Sequence, residues 1–183
     1  MRIFISGGCK NGKSSYAQYL AKRQKQSGPL YYVATMSAVD YEDEKRIENH
    51  QIDREGLGFI TVEQPKEIEH ILKKCDLKGS FLLDSLTALL GNEMFSSSGS
   101  FDGNAYDRIA SGLADILSRI ENIVIVSDFI YSDAIIYDPL TELYRKSLAY
   151  LDRVAAEQCD IVLETAYMQI IVHKGMEVFN ALY

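Results

Sequence analysis

The sequence predicts an α/β protein, a three-layer sandwich whose central sheet is mostly parallel and has an antiparallel strand at one edge. Short apolar segments alternate with segments of helical spacing along the chain, which is the pattern of parallel strands joined by helices. The apolar segments are hydrophobic nearly throughout, as expected of parallel strands covered on both faces. The last two follow one another directly and predict an edge hairpin. With 183 residues, the chain is most simply one domain, residues 1–183.

Each predicted strand is a short apolar run. The first, RIFIS, precedes a glycine-rich loop, and the fourth, SFLLD, ends in an acid. The predicted strands are 2–6, 30–35, 58–62, 80–84, 122–127, 160–165 and 168–172. Residues 173–183 are predicted to be a short tail.

The helices are predicted from several signals. The segment 42–53 is strongly charged, with Ile47 as its main apolar residue, so we expect an exposed helix. Pro65 and Pro139 are expected in the first turns of the helices that they precede or begin. The predicted helices are 15–24, 42–53, 66–74, 85–95, 106–120 and 139–157. The low-complexity segment 96–104 and the aromatic segment 128–138 are predicted to be irregular.

A glycine-rich segment, GGCKNGKS, joins the first predicted strand to the first predicted helix. It fits G-x-x-x-x-G-K-[ST] at every fixed position, in the structural context that a phosphate-binding loop requires. The amides of such a loop form an anion nest at the positive end of the helix. The sequence therefore predicts a P-loop NTPase-like fold with a nucleotide site. Its predicted binding residues are Gly7, Gly8, Cys9, Lys10, Asn11, Gly12, Lys13, Ser14 and Ser15.

Three side chains have predicted roles at the phosphates. Lys13 is expected to stabilise charge on the β and γ phosphates, and so to be catalytic as well as phosphate-binding. The Ser14 hydroxyl can ligate Mg²⁺. Asp84 ends its strand in the manner of a Walker B element, and its carboxylate is expected beside the phosphate loop, where it would hold Mg²⁺ directly or through water. The alternative is a glycine-rich turn that merely precedes a helix.

The composition restricts the partners. A net charge of −7 argues against nonspecific binding to nucleic acid or to an anionic membrane. No apolar run approaches the roughly 20 residues that span a bilayer, and the N-terminus has no signal-peptide pattern. The three cysteines, Cys9, Cys75 and Cys159, are odd in number and lack metal-ligand spacing. We therefore expect a cytoplasmic protein without a membrane span or a nucleic-acid partner.

A cationic face is predicted on the helix at 42–53. Arg46, His50 and Arg54 are spaced four residues apart, so they share one face of the helix. A cationic stripe with a central imidazole, on an otherwise acidic protein, is a candidate phosphate site. The alternative for His50 is an ordinary solvated surface histidine.

Together these motifs resemble those of the bifunctional adenosylcobinamide kinase / adenosylcobinamide-phosphate guanylyltransferase family of cobalamin biosynthesis. YVAT at 32–35 is similar to its Y-I-A-T strand, and RIENHQIDR at 46–54 matches its R-I-x-x-H-x-x-x-R helix. TVE at 61–63 and LDSLT at 83–87 resemble its T-V-E and D-C-L-T segments. The resemblance is close over residues 1–95. It implies further nucleotide-binding residues, namely Thr35, Arg46, Arg54, Glu63 and Asp84.

The resemblance implies a two-step activity. ATP or GTP phosphorylates the aminopropanol hydroxyl of adenosylcobinamide. GTP then transfers GMP to the helix histidine, here His50, and the cobinamide phosphate takes the GMP to give adenosylcobinamide-GDP. Neutral imidazole suits this role because it is nucleophilic near pH 7 and its phosphoramidate leaves readily once reprotonated. The resemblance also implies a homo-oligomer, a trimer.

The second half of the chain departs from the family pattern. After the fifth strand the family reads S-N-E-V-G, whereas residues 127–131 are SDFIY. Of the later F-R-D, G-R and N-Q segments, only Arg145 is retained. Two alternatives to the bifunctional enzyme stay open: a single-activity kinase in which His50 is a bystander, and a non-catalytic nucleotide-binding module.

Overall fold

The computed structural model describes residues 1–38, 40–95 and 99–181. Its strands run over Arg2–Gly7 (β1), Leu30–Ala34 (β2), Ile60–Glu63 (β3), Ser80–Asp84 (β4), Asn122–Asp128 (β5), Ile161–Ala166 (β6) and Gln169–Lys174 (β7). Its helices run over Lys13–Gln24 (α1), Tyr41–Asp53 (α2), Ile71–Lys74 (α3), Leu86–Met94 (α4), Ala105–Arg119 (α5), Pro139–Gln158 (α6) and Met176–Asn180 (α7). Residues 96–98 of the loop predicted at 96–104 lie outside the described residues.

The strands form one sheet in the order β3-β2-β4-β5-β1-β6-β7. The pairings from β3 to β6 are parallel, and β7 pairs antiparallel with β6 at the edge. The predicted α/β class and the edge hairpin are therefore confirmed. Because the strands are parallel, the C-terminal ends of β1, β4 and β5 lie at the same edge, which is where open α/β sheets bind ligands.

Helices cover both faces of the sheet, and β1 shows how. Ile3 and Ile5 pack with Leu20 of α1, whereas Phe4 packs with residues of α4, α5 and α6. This alternation is what a strand buried on both faces requires, and it produces the predicted three-layer sandwich. Within the described part of the chain, no helix has both the length and the apolar character needed to cross a membrane.

The helix predicted at 66–74 is wrong in its first part. Pro65 lies outside it, Ile68–His70 is a 3₁₀ turn, and only Ile71–Lys74 is α-helical. The Glu67 carbonyl accepts from the His70 amide at 2.9 Å, which is the i→i+3 bond of a 3₁₀ turn. The two fully buried residues of the segment, Ile68 and Ile71, are three apart, which suits the 3₁₀ period better than the α-helical one.

The prediction of a short tail at 173–183 is also wrong, because residues 173–181 continue the fold; residues 182–183 lie outside the described residues. β7 extends to Lys174, and α7 follows it. The Lys174 ammonium donates to the carbonyls of Ala156, Glu157 and Cys159 at 2.7–3.1 Å. These carbonyls belong to the C-terminal end of α6, where a cation is favoured by the unpaired carbonyls and the helix dipole.

Candidate active site

The phosphate loop connects β1 to α1, as its motif predicts. Gly7 approaches β6 so closely that a Cβ there would lie 2.3 Å from Thr165 Oγ1, which excludes a side chain. Gly12 precedes α1 with φ 78°, a left-handed conformation that glycine adopts without strain. Ser14 and Ser15 consequently fall in the first turn of α1, where the unpaired amides of the helix are available to an anion.

The middle of the loop is open to solvent. Cys9 and Lys10 are exposed, and Asn11 is half-buried. The Asn11 amide donates to the Thr165 carbonyl at 3.4 Å, which ties the loop to β6. The backbone of this segment thus lies against the sheet while its outer side is accessible.

Lys13 has a carboxylate partner that the sequence interpretation missed. Its Nζ lies 2.9 Å from Asp128 Oδ1 and donates to the Gly8 carbonyl at 2.7 Å. Asp128 is the last residue of β5 and pairs in register with Gly7. Its position at the C-terminal end of a parallel strand is the one signal that could have identified it.

Asp84 lies one strand further from the phosphate loop than predicted. The strand beside β1 is β5, and β4 pairs with β5 on its other side, so the carboxylate closest to Lys13 is that of Asp128. Asp84 Oδ2 accepts a hydrogen bond from the Tyr32 hydroxyl at 2.9 Å. Leu82, two residues earlier, packs on the α1 face of the sheet, and side-chain alternation puts Asp84 on that face as well.

Ser14 and Asp84 fit a magnesium ion in the chemistry of their donors. Both supply oxygen, the ligand type that Mg²⁺ prefers. Asp84 Oδ1 has no hydrogen-bonding partner among the described residues, so it is available to a cation. A phosphate-bound Mg²⁺ would need only one or two such protein ligands.

The histidine helix α2 is exposed along most of its length, as predicted. Asp40 caps it by accepting from the Asp43 amide at 2.9 Å. His50 is half-buried near its C-terminal end. His50 Nδ1 is shielded from solvent and has no hydrogen-bonding partner among the described residues.

Arg54 connects α2 to the sheet. Its guanidinium donates to the His50 carbonyl at 2.8 Å and to Thr61 Oγ1 at 3.2 Å. It lies over the ring of Tyr32, 4.2 Å from the ring centre. Since the Tyr32 hydroxyl donates to Asp84, contacts run continuously from His50 through Arg54 and Tyr32 to Asp84. We name this series the His50–Asp84 chain.

Two other predicted site residues, Arg46 and Thr35, are not part of the His50–Asp84 chain. The Arg46 side chain is 62% exposed, with only a 3.9 Å pairing to Asp43, so the structure does not bring it to Arg54. Thr35 is fully buried. Its hydroxyl donates to the Ser85 carbonyl at 2.8 Å and accepts from the Ser85 amide at 2.7 Å, which fixes the end of β2 to the segment after β4.

A depression of about 510 Å³ adjoins the end of α2. Arg54, Phe59, Thr61 and Glu63 contribute to its lining. The exposed Glu63 carboxylate and the aromatic ring of Phe59 are groups that could hydrogen-bond and stack a nucleobase. This depression lies along β3, at the sheet edge opposite β7.

The segment after β5 is irregular, as predicted, and Arg145 organises it. The buried guanidinium donates to the Ile130 carbonyl at 3.1 Å and pairs with Asp133 at 2.9 Å and Glu142 at 2.6 Å. It also lies 4.5 Å from the centre of the Tyr137 ring. The retained arginine is therefore a structural support for the loop that follows Asp128.

A second carboxylate is buried close to the end of β5. Asp152, on α6, is 4% exposed, and its Oδ2 accepts from the Tyr131 hydroxyl at 2.8 Å. Burial raises the pKa of Asp152 to about 6; the Ser127 and Tyr131 hydroxyls oppose this rise, and the charge of Asp128 adds to it. Burial likewise raises the pKa of Tyr144, which faces the same carboxylates, to about 12.

Comparison with known proteins identifies similar sequences. A family model described as cobinamide kinase / cobinamide phosphate guanyltransferase matches residues 3–168. The chain is 29% identical over 168 residues to the bifunctional adenosylcobalamin biosynthesis protein CobP of Pseudomonas aeruginosa, a match covering 90% of this chain and 92% of that protein. It is 29% identical over 109 residues to the protein CobU of Escherichia coli, a match covering 58% of each.

Solved structures share the fold. A KaiC-like protein from Pyrococcus horikoshii superposes with a TM-score of 0.52 at 10% identity, covering 94% of this chain and 78% of that one. The flagellar accessory protein FlaH from Methanocaldococcus jannaschii gives 0.50 at 14% identity, covering 94% and 77%. At such low identity the likeness shows the fold alone, which is P-loop NTPase-like.

Proposed function

The chain belongs to the cobinamide kinase / cobinamide phosphate guanyltransferase family, which makes it a transferase, and we propose that it carries out two successive transfers to a corrinoid. ATP or GTP first phosphorylates the aminopropanol hydroxyl of adenosylcobinamide. GMP from GTP is then carried by His50 to that phosphate, which gives adenosylcobinamide-GDP. The observation that carries the proposal is the His50–Asp84 chain.

The His50–Asp84 chain supports the proposal because it connects α2, the helix that carries His50, to the phosphate-binding edge of the sheet. His50 lies on an otherwise exposed helix, and Arg54 fixes its backbone while contacting Tyr32. Tyr32 in turn holds Asp84, the candidate magnesium ligand. The end of α2 that carries His50 is therefore held in a fixed position relative to that edge.

The guanylyl transfer uses the chemistry of a neutral imidazole. A ring nitrogen of His50 forms a bond to the α-phosphorus of GTP, and the bond from that phosphorus to the α–β bridging oxygen breaks with its electron pair going to pyrophosphate. The proton on the other ring nitrogen is released to solvent. The corrinoid phosphate then attacks the same phosphorus, and the nitrogen–phosphorus bond breaks as the ring recovers a proton. Lys13 and the loop amides stabilise the phosphate charge in both steps.

The remaining parts of the proposal follow from the same sites. Ser14 and Asp84 hold Mg²⁺, which supplies further charge stabilisation when bound. Thr35, Arg46, Arg54 and Glu63 are proposed to support nucleotide binding. We also propose that the chain acts as one domain in the cytoplasm and as a homo-oligomer, a trimer by resemblance, with no nucleic-acid partner.

A comparison of the two transfers in one variant tests the function. We expect His50→Ala to retain phosphorylation of cobinamide and to lose GMP transfer to the product. The matched control is His70→Ala, which removes a half-exposed histidine whose neighbour is Glu67, 3.6 Å away. The proposal would be refuted if the wild type carried out neither transfer, or if His50→Ala transferred GMP at the wild-type rate.

A second candidate function is a kinase without guanylyl transfer. One observation favours it: β3, which adjoins the histidine helix, is four strand positions from β1, or roughly 19 Å at the usual strand spacing. In a kinase of this kind, the phosphate loop and Lys13 are sufficient for phosphoryl transfer, and His50 takes no part in the reaction. The same His50→Ala experiment decides between the two, because wild-type GMP transfer excludes the kinase-only function.

A further inference from the structure

Asp128 is the carboxylate that meets the lysine of the phosphate loop. Its Oδ1 lies 2.9 Å from Lys13 Nζ. The Lys13 side chain is 6% exposed, whereas that of Asp128 is 32% exposed. The lysine is thus enclosed by the loop, while the carboxylate keeps an open side on which a small molecule could approach it.

The position of Asp128 does not depend on its ion pair. The residue pairs in register with Gly7, and the next amide, that of Phe129, donates to the Gly7 carbonyl at 3.0 Å. The Asp128 amide donates to Thr87 Oγ1 at 2.9 Å, and Thr87 is held by the Tyr144 hydroxyl at 2.8 Å. The backbone of Asp128 is therefore held by β1 and α4 and would stay in place if the lysine moved.

Nucleotide binding must change the partners of this ion pair. The lysine of a P-loop bonds the β and γ phosphates, so Lys13 has to exchange Asp128 for phosphate oxygens. Asp128 is then left within about one ion-pair distance of the γ-phosphoryl group. A carboxylate beside new negative charge binds a proton more readily. Asp84 is less suited, because Tyr32 already donates to it.

We propose that Asp128 is the general base of the phosphorylation step, an inference that deepens the proposed function and rests on it. The acceptor hydroxyl oxygen forms a bond to the γ-phosphorus, and the hydroxyl proton moves to the Asp128 carboxylate. The bond from that phosphorus to the β–γ bridging oxygen breaks, and its electron pair leaves with the nucleoside diphosphate. The proton then passes to solvent from the open side of the carboxylate.

The variant Asp128→Asn tests this role because it keeps the shape and removes the base. We expect the rate of cobinamide phosphorylation to fall by about 10²- to 10⁴-fold, the usual contribution of a general base. The Kd of MgATP, measured with a fluorescent analogue, should be unchanged or lower, because Lys13 no longer has a competing carboxylate. GMP labelling of His50 should persist. Asp115→Asn, which alters an exposed carboxylate 2.9 Å from Arg119 on α5, is the matched control.

A second reaction separates this inference from the proposed function. Slow phosphate release from MgATP, with water as the acceptor, needs no corrinoid and should also fall in Asp128→Asn. If the wild type fails to phosphorylate cobinamide but its hydrolysis depends on Asp128, only the proposed function fails. Wild-type rates of both reactions in Asp128→Asn would overturn the inference, as would a loss of MgATP affinity that accounts for the whole loss of rate. Asp128→Glu keeps a carboxylate in a displaced position and should therefore retain more of the phosphorylation rate than Asp128→Asn. The glutamate variant replaces the asparagine variant in these tests if the latter does not fold.

Discussion

The Arg54 guanidinium lies 4.2 Å from the centre of the Tyr32 ring. The hydroxyl of the same ring donates to Asp84, so one tyrosine contacts the cation of the histidine helix on its face and an acid of the sheet at its edge. Arg54 is only 9% exposed, and a desolvated contact of this kind is worth about 2 kcal/mol. The attachment of α2 to the phosphate-binding edge therefore depends on these two residues.

Arg54→Ala is expected to reduce GMP labelling of His50 by about 10- to 100-fold. It removes the ring contact, worth about 2 kcal/mol, and two hydrogen bonds of about 1 kcal/mol each, so α2 loses its fixed position. Labelling is followed by the initial rate of acid-labile incorporation from radioactive GTP. Arg119→Ala, which removes an exposed arginine from α5, should label at the wild-type rate. Unreduced labelling in Arg54→Ala would show that α2 needs no such attachment.

Tyr32→Phe is expected to lower the free energy of unfolding by about 1 kcal/mol. It keeps the ring next to Arg54 and removes only the hydroxyl, so the Asp84 carboxylate loses the hydrogen bond that this hydroxyl donates. Urea unfolding measures the difference. The matched change is Tyr106→Phe, because that ring packs 5.5 Å from Tyr150 and its hydroxyl has no hydrogen-bonding partner in the described part of the chain. Equal effects of the two changes would contradict the assigned contact.

The phosphate loop could be predicted because its determinants are contiguous. Gly7, Gly12 and Lys13 lie in one short segment whose flanking apolar run and helix are also local. Asp128 could not be predicted in this way. Its contact with Lys13 requires β5 to lie between β4 and β1, and pairing between strands so distant in sequence has no local signal.

Helical spacing alone also predicted a cationic face on α2 that the structure does not form in full. It correctly put Arg46 and His50 on a helix and predicted that Arg54 shares their face. However, the helix ends at Asp53, and Arg54 turns towards Tyr32, a residue on a different strand, while Arg46 remains exposed. Spacing describes a regular helix, whereas tertiary contacts decide which side chains of its last turn point inward.

Asp152 is expected to make stability fall as the pH rises from about 4 to 6. Its pKa is raised to about 6 in the folded protein, so the folded state holds this proton more tightly than the unfolded chain does. The stability that this proton contributes is therefore lost between about pH 4 and 6, and it amounts to up to about 3 kcal/mol.

The contribution of Asp152 is isolated by comparison with Asp152→Asn, which cannot ionise. Urea unfolding of both proteins at pH 4.5, 5.5 and 7 should show the difference between them shifting in favour of the asparagine variant as the pH rises. Parallel pH profiles would mean that the Asp152 carboxyl titrates alike in the folded and unfolded chains.

In the proposed guanylyl transfer, the imidazole of His50 attacks a triphosphate held by the Lys13 loop. Peptide mapping by mass spectrometry, after incubation with GTP and Mg²⁺, tests this attack. We predict a GMP adduct on the His50 peptide of the wild type, reduced by at least about 10²-fold in Lys13→Ala and absent from His50→Ala. An unmodified His50 in the wild type would exclude this attack, and an undiminished adduct in Lys13→Ala would show that the Lys13 loop does not hold the triphosphate.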